Sequence, residues 1–218
     1  PSLGFIDYKE NFGEMENKGW SLNLRTQMLR DTERELYWSL AFGTSDSKNK
    51  IKKITDKLGA MNDENNKNET KKPVPLYEEG ESLDALKAVP SLGIDPETGK
   101  EVFVKKDGSL TTIWDYNDKV VCGTTDPKFR GTLNSFLTFK GISLNMSFNF
   151  QWGGQTYNQT LASRVEGVNP NSNCDRRVLY DRWKKPGDRT FFKNIALEEN
   201  VSNLTTRFVQ DYNYFQIG

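Results

Sequence analysis

The side chains that most often perform catalysis are sparse in this chain of 218 residues. It contains no histidine, the usual general base and the commonest metal ligand. Its two cysteines, Cys122 and Cys174, are too few and too far apart for a zinc site, and they could be either one disulfide or two free thiols. No nucleophile lies beside a base, and no pair of carboxylates is marked out for acid–base chemistry. The sequence therefore predicts no enzyme and no bound metal or cofactor.

Some acidic residues could still bind a cation. The stretch DPETGK at 95–100 resembles the start of a calcium loop, but too few oxygen ligands follow at the required spacing, so it predicts a turn. Asp115, Asp118 and Asp126 could also hold a cation in a loop. Solvated loop carboxylates are the more common case, and we expect no metal site from these residues.

The composition is polar overall but rich in aromatic residues. Hydrophobic residues make up 35% and aromatic residues 12%, with a mean hydropathy of −0.74, which is unusual for a single packed core. Thirty basic residues balance thirty acidic ones, so no global field favours nucleic acid or an anionic membrane surface. The longest apolar runs are far shorter than the roughly 18 residues of a transmembrane helix.

Two segments with a period of two residues predict the elements that position the polar side chains. From Ile142 to Trp152 every second residue is apolar, and the residues between are serine, asparagine or glutamine. This strand follows one at 131–139 through Lys140-Gly141, where the glycine suits a tight turn. A first hairpin has strands at 19–29 and 36–43, and its predicted apolar face includes Trp20, Leu22, Leu24 and Met28.

Long polar segments separate the two hairpins. Residues 46–76 predict solvated loop with at most one helical turn near 51–58, and residues 77–130 carry turn signals around a small hairpin at 100–114. Another polar segment covers 153–200, before a last strand within 207–218. Loops of this length are unusual in a compact soluble domain. They are typical of the extracellular side of outer-membrane β-barrels, which have short turns at the other end.

Strand length and polar-face chemistry favour a membrane barrel, yet they leave a soluble sheet open. About ten residues at roughly 3.3 Å each, tilted near 45°, span about 23 Å, close to the apolar band of about 25 Å in such barrels. The polar face carries serine and amide side chains, with Arg25 as the exception, and Trp20 and Trp152 lie where strands meet loops, as in an aromatic girdle. The alternative is a soluble β-sandwich module that binds carbohydrate or protein.

Five stretches in order resemble the SusC/RagA family of TonB-dependent outer-membrane transporters. They are NFGEMENKGW (11–20), YEEGESLDALKAVPSLGIDPETGKEVFVKKDG (77–108), TTDPKFRGTLNSFLTFKGISLNMSFNFQWGGQTYN (124–158), DRWKKPGD (181–188) and RFVQDYNYFQIG (207–218). They are spread from residue 11 to residue 218, and Ser21 stands where the family usually has glutamate. The resemblance implies an all-β fold, a segment of a large antiparallel transmembrane β-barrel of about 22 strands with long extracellular loops.

The resemblance also implies a domain organisation and a function. Residues 1–218 would be one partial TonB-dependent receptor barrel domain, with hairpins 19–43 and 131–152, outer loops 44–130 and 153–210, and the plug domain absent. The protein would lie in the bacterial outer membrane and take part in importing oligosaccharides or peptides. Its partners would be a SusD-like lipoprotein, the TonB system through the missing N-terminal part, the rest of the same barrel, and membrane lipid, but no nucleic acid.

Candidate binding residues follow from the same resemblance. Three amides would line the lumen, where they could contact substrate or only hold water: Asn145, Asn149 and Gln151. Three aromatic residues would lie in the outer loops, where their faces suit sugar rings or a partner protein but could equally pack within the loops: Trp114, Tyr116 and Trp183. Cys122 and Cys174 would lie on the same extracellular side, which would allow a disulfide between them.

Overall fold

The computed structural model of the protein describes residues 13–67, 73–169, 171, 173–195 and 203–218. Antiparallel strands dominate these residues, and no helix among them is long and apolar enough to cross a membrane. In chain order the elements are β1 (Gly13–Asp31), β2 (Leu36–Ile54), α1 (Asp56–Lys67), β3 (Ala85–Ala88), β4 (Ser91–Ile94), β5 (Glu101–Val104), β6 (Leu110–Thr111), β7 (Val120–Thr124), β8 (Phe129–Phe139), β9 (Ile142–Tyr157) and β10 (Val209–Ile217).

Five long strands form one antiparallel sheet in the order β1-β2-β8-β9-β10. The two predicted hairpins therefore lie side by side, joined where β2 pairs with β8. Their strands are longer than predicted: β1 and β2 each have 19 residues and β9 has 16. The prediction of loop from residue 44 was wrong as far as Ile54, and α1 occupies a further part of the same segment. Alternating Lys, Asn and Ser give no apolar period in this part of β2, but its backbone pairs with β1.

The two short connections lie at the same end of this sheet. Between β8 and β9, Lys140 and Gly141 have φ values of 48° and 82°, the positive values that a two-residue type I′ turn requires. The Lys140 N–H donates to the carbonyl oxygen of Glu35, in the β1–β2 connection, at 3.2 Å. The long segments leave from the opposite end, which is the asymmetry expected of an outer-membrane barrel.

The strand register places the apolar side chains on one face, which we call the apolar face. Leu24 lies opposite Phe42, Phe42 opposite Leu133, and Leu133 opposite Phe148. A bulge between Gln27 and Leu29 puts Leu29, rather than the predicted Met28, opposite Trp38. Between Trp20 and the last pair of β1 and β2, in which Asp31 lies opposite Leu36, the face carries no charged residue. Its uncharged members are Leu22, Leu24, Thr26, Leu29, Leu36, Trp38, Leu40, Phe42, Thr44, Phe129, Gly131, Leu133, Ser135, Leu137, Phe139, Ile142, Leu144, Met146, Phe148, Phe150, Trp152, Phe215 and Ile217.

No second sheet covers the apolar face in the described part of the chain. Ile142 is 74% exposed and Ile217 71% exposed, and Leu144 and Trp152 are also exposed. A β-sandwich would bury such a face against a second sheet about 10 Å away. The described part of the chain is therefore not a β-sandwich, and lipid is the environment that suits the apolar face.

Three polar side chains on the apolar face, Trp38, Ser135 and Thr44, are engaged in local hydrogen bonds. The indole N–H of Trp38 donates to Ser135 Oγ at 3.0 Å, and the Thr44 hydroxyl donates to the carbonyl oxygen of Arg130 at 3.0 Å. An unpaired polar group in hydrocarbon costs several kcal/mol of free energy, about as much as an unpaired polar group buried in a protein core. Gly131 leaves space for aromatic packing, since a Cβ there would lie 2.6 Å from Phe150 Cζ.

The buried core lies beyond the long-loop end of the sheet. Two small antiparallel sheets, β3-β7 and β4-β5-β6, pack there with the segment that precedes β10. Their shared cluster consists of Ala88, Tyr157, Ala162, Val165, Val168, Val178, Phe192, Leu204 and Phe208. We call this assembly the outer-loop body. The region predicted as polar loop is thus a packed unit on top of the strands.

Candidate functional site

The face of the five-stranded sheet opposite the apolar face is the candidate functional surface, which we call the lumen face. By register it carries Ser21, Asn23, Arg25, Gln27, Tyr37, Ser39, Ala41, Gly43, Arg130, Thr132, Asn134, Phe136, Thr138, Ser143, Asn145, Ser147, Asn149 and Gln151. Arg25 and Arg130 are the charged members of this set, and Arg30, opposite Tyr37, adds a third guanidinium group at the turn end of the same face. Amides, hydroxyls and guanidinium groups can hydrogen-bond to sugar hydroxyls, peptide groups or carboxylates.

The three amides predicted from the sequence all lie on the lumen face. Asn145 is opposite Phe136, Asn149 opposite Thr132, and Gln151 opposite Arg130. Asn145 is exposed, whereas Asn149 and Gln151 are half-buried. Their position is as expected from the period of two, while their contact with a transported molecule stays a prediction.

Arg130 is a lumen-face residue that the sequence reading missed. The predicted strand began at residue 131, although the alternation continues one step back to Arg130, opposite Ser45 and Gln151. A shallow concavity of about 330 Å³ lies further down this face, with Ala41 and Gly43 at its floor and Arg25 at its side. Small residues open this space, because a Cβ on Gly43 would lie 2.9 Å from Asn23 Oδ1.

The predicted outer-loop aromatics hold segments of the outer-loop body together. The half-buried Trp114 donates its indole N–H to the carbonyl oxygen of Leu204 at 3.1 Å and packs against the buried cluster. Trp183 donates to the carbonyl oxygen of Pro96 at 2.8 Å. Tyr116 is half-buried in a 3₁₀ turn, Tyr116–Asp118. These contacts fit packing within the loops, and binding of sugar or of a partner by the three residues stays a prediction.

Gly99 is required beneath the Trp183 ring, and Gly99→Ala is expected to displace that ring. A Cβ at residue 99 would lie 2.5 Å from ring carbons of Trp183, and the backbone has a φ of 69°. We expect local destabilisation of about 1–3 kcal/mol, seen as faster proteinase K cleavage of the outer-loop body in the complete receptor. Gly108→Ala is the matched control, because Gly108 has a φ of 84° but no atom within 4 Å of a Cβ. Equal cleavage of the two variants would contradict the packing role of Gly99.

Three of the acidic residues considered as cation ligands, Asp95, Asp115 and Asp118, accept hydrogen bonds from their own loops. Asp95 accepts from Thr98 Oγ1 at 2.6 Å, a contact that together with the Glu97 N–H lowers the pKa of Asp95, so DPETGK is a turn as predicted. Asp115 accepts from the Asn117 N–H, and Asp118 from the Lys106 N–H. Across the described ranges no group of three or more acidic, histidine or cysteine side chains is placed to hold a metal ion.

Cys122 and Cys174 are not joined in the structure. The Cys122 thiol lies between β3 and β7, where it donates to the carbonyl oxygen of Leu86 at 3.2 Å and burial raises its pKa. Cys174 is exposed in another segment and lies 3.5 Å from the carbonyl oxygen of Asn169. The resemblance allowed a disulfide between these two residues. The structure does not contain it, because the two thiols contact different parts of the outer-loop body.

A buried ionic cluster that the sequence did not reveal connects the outer-loop body to β10. Arg207 contacts both carboxylate oxygens of Glu101 at 2.7 Å and Glu166 Oε1 at 2.7 Å, and it donates to the carbonyl oxygen of Phe191 at 2.5 Å. Burial alone would lower the pKa of Arg207, but the hydrogen bonds to the two carboxylates raise it. The guanidinium also lies over the Phe208 ring at 4.9 Å. Arg207 therefore joins the segments that contain Glu101, Glu166 and Phe191, two residues before β10 begins at Val209.

Known proteins of similar sequence are receptors of one class. TonB-dependent receptor P3 of Formosa agariphila is 25% identical over 225 residues, which cover 95% of this chain and 21% of that protein. TonB-dependent receptor P39 of the same organism is 25% identical over 263 residues, covering 98% of this chain and 24% of that protein. The chain is related to the TonB-dependent receptors. It spans only about a fifth to a quarter of the length of these relatives. No family model matches the chain.

Solved structures show the fold, because the chain superposes on part of the RagAB peptide transporter. A structure of the RagAB peptide transporter superposes with a TM-score of 0.72 at 16% identity, covering 98% of this chain and 23% of that chain. The RagAB peptide importer in its open-open state gives a TM-score of 0.68 at 18% identity, covering 98% and 22%. The fold class and the SusC/RagA-type resemblance are thus confirmed, and the chain is assigned to the bacterial outer membrane.

Proposed function

We propose that the chain forms part of the barrel wall of an outer-membrane transporter that imports oligosaccharides or peptides together with a SusD-like surface lipoprotein. The observation that carries this proposal is the separation of the sheet into an apolar face and a polar lumen face. Such a wall separates lipid from a wet interior. The relatives support transport rather than catalysis, since they are described as receptors and a peptide transporter.

The parts of the chain have different roles in this proposal. The strands support a lumen in which amides, Arg25 and Arg130 offer hydrogen bonds to the cargo. The outer-loop body stands at the extracellular mouth, where it contributes to the binding cavity and to the surface on which the lipoprotein closes. The TonB system acts through the N-terminal part of the complete protein. Because hydroxyls and amides serve sugars and peptides alike, both cargo classes belong to the proposal.

Uptake by cells tests the proposal directly. We expect deletion of the gene for the complete receptor to abolish uptake of either labelled peptides or labelled oligosaccharides, and the restored gene to recover it only in a strain with an intact TonB system. The proposed function would be contradicted if the deletion strain still took up both labelled peptides and labelled oligosaccharides, or if the restored gene recovered uptake in a strain without TonB. Measuring the surface abundance of the receptor excludes failed assembly as the cause.

The three predicted lumen amides give a sharper test of cargo contact. We expect the triple variant Asn145→Ala, Asn149→Ala, Gln151→Ala to lower the initial uptake rate about fivefold or more, because one hydrogen bond is worth about 1 kcal/mol. The control changes Thr138 and Ser143 to alanine, since these hydroxyls lie on the same face at the turn end and are 3.1 Å from each other. An uptake rate equal to that of the control would show that the amides only hold water.

A further inference from the structure

The β1–β2 hairpin extends beyond the apolar face, and its side chains on that side change there from apolar to charged. Trp20 lies opposite Asp46, and the next pair on the same side of the sheet is Lys18 opposite Lys48. The pair after that is Glu16 opposite Lys50. We call Lys18, Lys48 and Lys50 the lysine patch. It lies on the outward side of the wall, one step beyond the aromatic residue that ends the apolar band.

The charges of the lysine patch are incompletely neutralised within the chain. Like charges directly opposite each other on neighbouring strands destabilise a sheet, and of the opposed pair Lys18 and Lys48 only Lys18 has a carboxylate partner among the described residues, Glu16. Glu16 is shared between Lys18 and Lys52. In the described part of the chain Lys48 and Lys50 make no ion pair. An anion beside the two lysines would relieve this repulsion.

The space beside the lysine patch is an open concavity in which lysines outnumber carboxylates. A concavity of about 580 Å³ is lined by Glu16, Lys18, Gly19, Trp20, Asp46, Lys48, Asn49, Lys50 and Gly80. Its charge is net positive, because three lysines face two carboxylates and Lys52 neutralises part of one of them.

The position of the patch identifies the kind of anion. A molecule that reaches the concavity along the outward side of the wall contacts the apolar face below Trp20, which is uncharged from Leu22 to Leu29, and the lysines above it. Only an amphiphile with an anionic head group matches both surfaces. We propose that the lysine patch binds the phosphate of a phosphorylated glycolipid in the outer leaflet, with Trp20 at the boundary between its acyl chains and its head group.

Lipid binding by the purified complete receptor tests this proposal. The probe is bisphosphorylated lipid A in detergent micelles, compared with the same lipid A after its phosphates have been removed. We expect Lys18→Gln, Lys48→Gln, Lys50→Gln to weaken binding of bisphosphorylated lipid A roughly a hundredfold, because each lysine near an anionic surface contributes about fivefold. The dephosphorylated lipid should bind the unaltered receptor and the variant equally. Native mass spectrometry measures both.

A matched control removes the same charge elsewhere. Lys105→Gln, Lys106→Gln, Lys184→Gln neutralises three exposed lysines of the outer-loop body and should leave lipid binding unchanged. The proposal is overturned if the control weakens binding as much as the patch variant, if phosphate removal has no effect, or if millimolar inorganic phosphate displaces the lipid completely. Cargo uptake by the patch variant should persist, so failure of this inference is distinct from failure of the proposed transport.

Discussion

Arg207→Met is expected to disrupt the outer-loop body and to stop import, although the barrel strands stay folded. The Arg207 side chain is 5% exposed, and its carboxylate partners Glu101 and Glu166 are 5% and 0% exposed. Removing the cation leaves two carboxylates buried without compensation, which typically costs about 3–5 kcal/mol. Methionine keeps much of the side-chain volume, so the effect reports the lost charge rather than a cavity.

Proteolysis of intact cells measures this effect. We expect proteinase K to cleave the outer-loop body of Arg207→Met rapidly while the membrane-embedded strands stay protected. Arg177→Met is the matched control, because Arg177 pairs with Asp175 at an exposed position where ion pairs contribute little. Adding Glu101→Gln and Glu166→Gln to Arg207→Met should restore part of the protection by removing the buried charges. Equal cleavage of Arg207→Met and Arg177→Met would contradict the anchoring role of the cluster.

The strands and their faces could be predicted because their signal is local. Ile142–Trp152 carries its apolar residues at a period of two, and the same period extends through both hairpins. Lys140-Gly141 similarly predicts its turn, because the geometry needs positive φ at adjacent residues. The placement of Asn145, Asn149 and Gln151 on one face follows from that period alone.

The outer-loop body could not be predicted because its contacts are distant in sequence. Arg207 and Glu101 are 106 residues apart, and Trp114 and Leu204 are 90 apart. Nothing near Arg207 indicates that it is buried, since an arginine in a polar segment is normally solvated. Loop prediction failed here because tertiary packing, rather than local propensity, orders these residues.

The upper part of β2 shows a second limit of sequence reading. Residues 46–54 hold serine, lysine and asparagine without an apolar face, yet they pair with β1 as far as Ile54. Above the membrane no lipid selects for apolar side chains, so the period that identifies a spanning strand ends while the strand continues. The end of the apolar pattern at Trp20 therefore marks the membrane boundary, not the end of the element.

Met146→Arg is expected to prevent stable assembly of the barrel, whereas Ser147→Arg is expected to permit it. The two residues are adjacent near the middle of the predicted apolar band, but Met146 lies opposite Ser135 on the apolar face and Ser147 opposite Asn134 on the lumen face. Arginine on the lipid-facing side near the bilayer midplane costs about 2–4 kcal/mol. The same guanidinium in a wet lumen keeps its hydration.

Comparing these two variants tests which face of the sheet meets lipid, independently of other effects of the substitutions. Both variants introduce the same side chain into the same strand at nearly the same depth, so only the side of the wall differs. Urea unfolding of the complete receptor in lipid vesicles should show the loss for Met146→Arg alone, and Met146→Leu should behave as the unaltered protein because its volume is conserved. Equal losses for the two arginine variants would mean that both faces are closed to water. A larger loss for Ser147→Arg would reverse the assignment of lipid and lumen, since the free energy of burying a charge follows the solvent that each face meets.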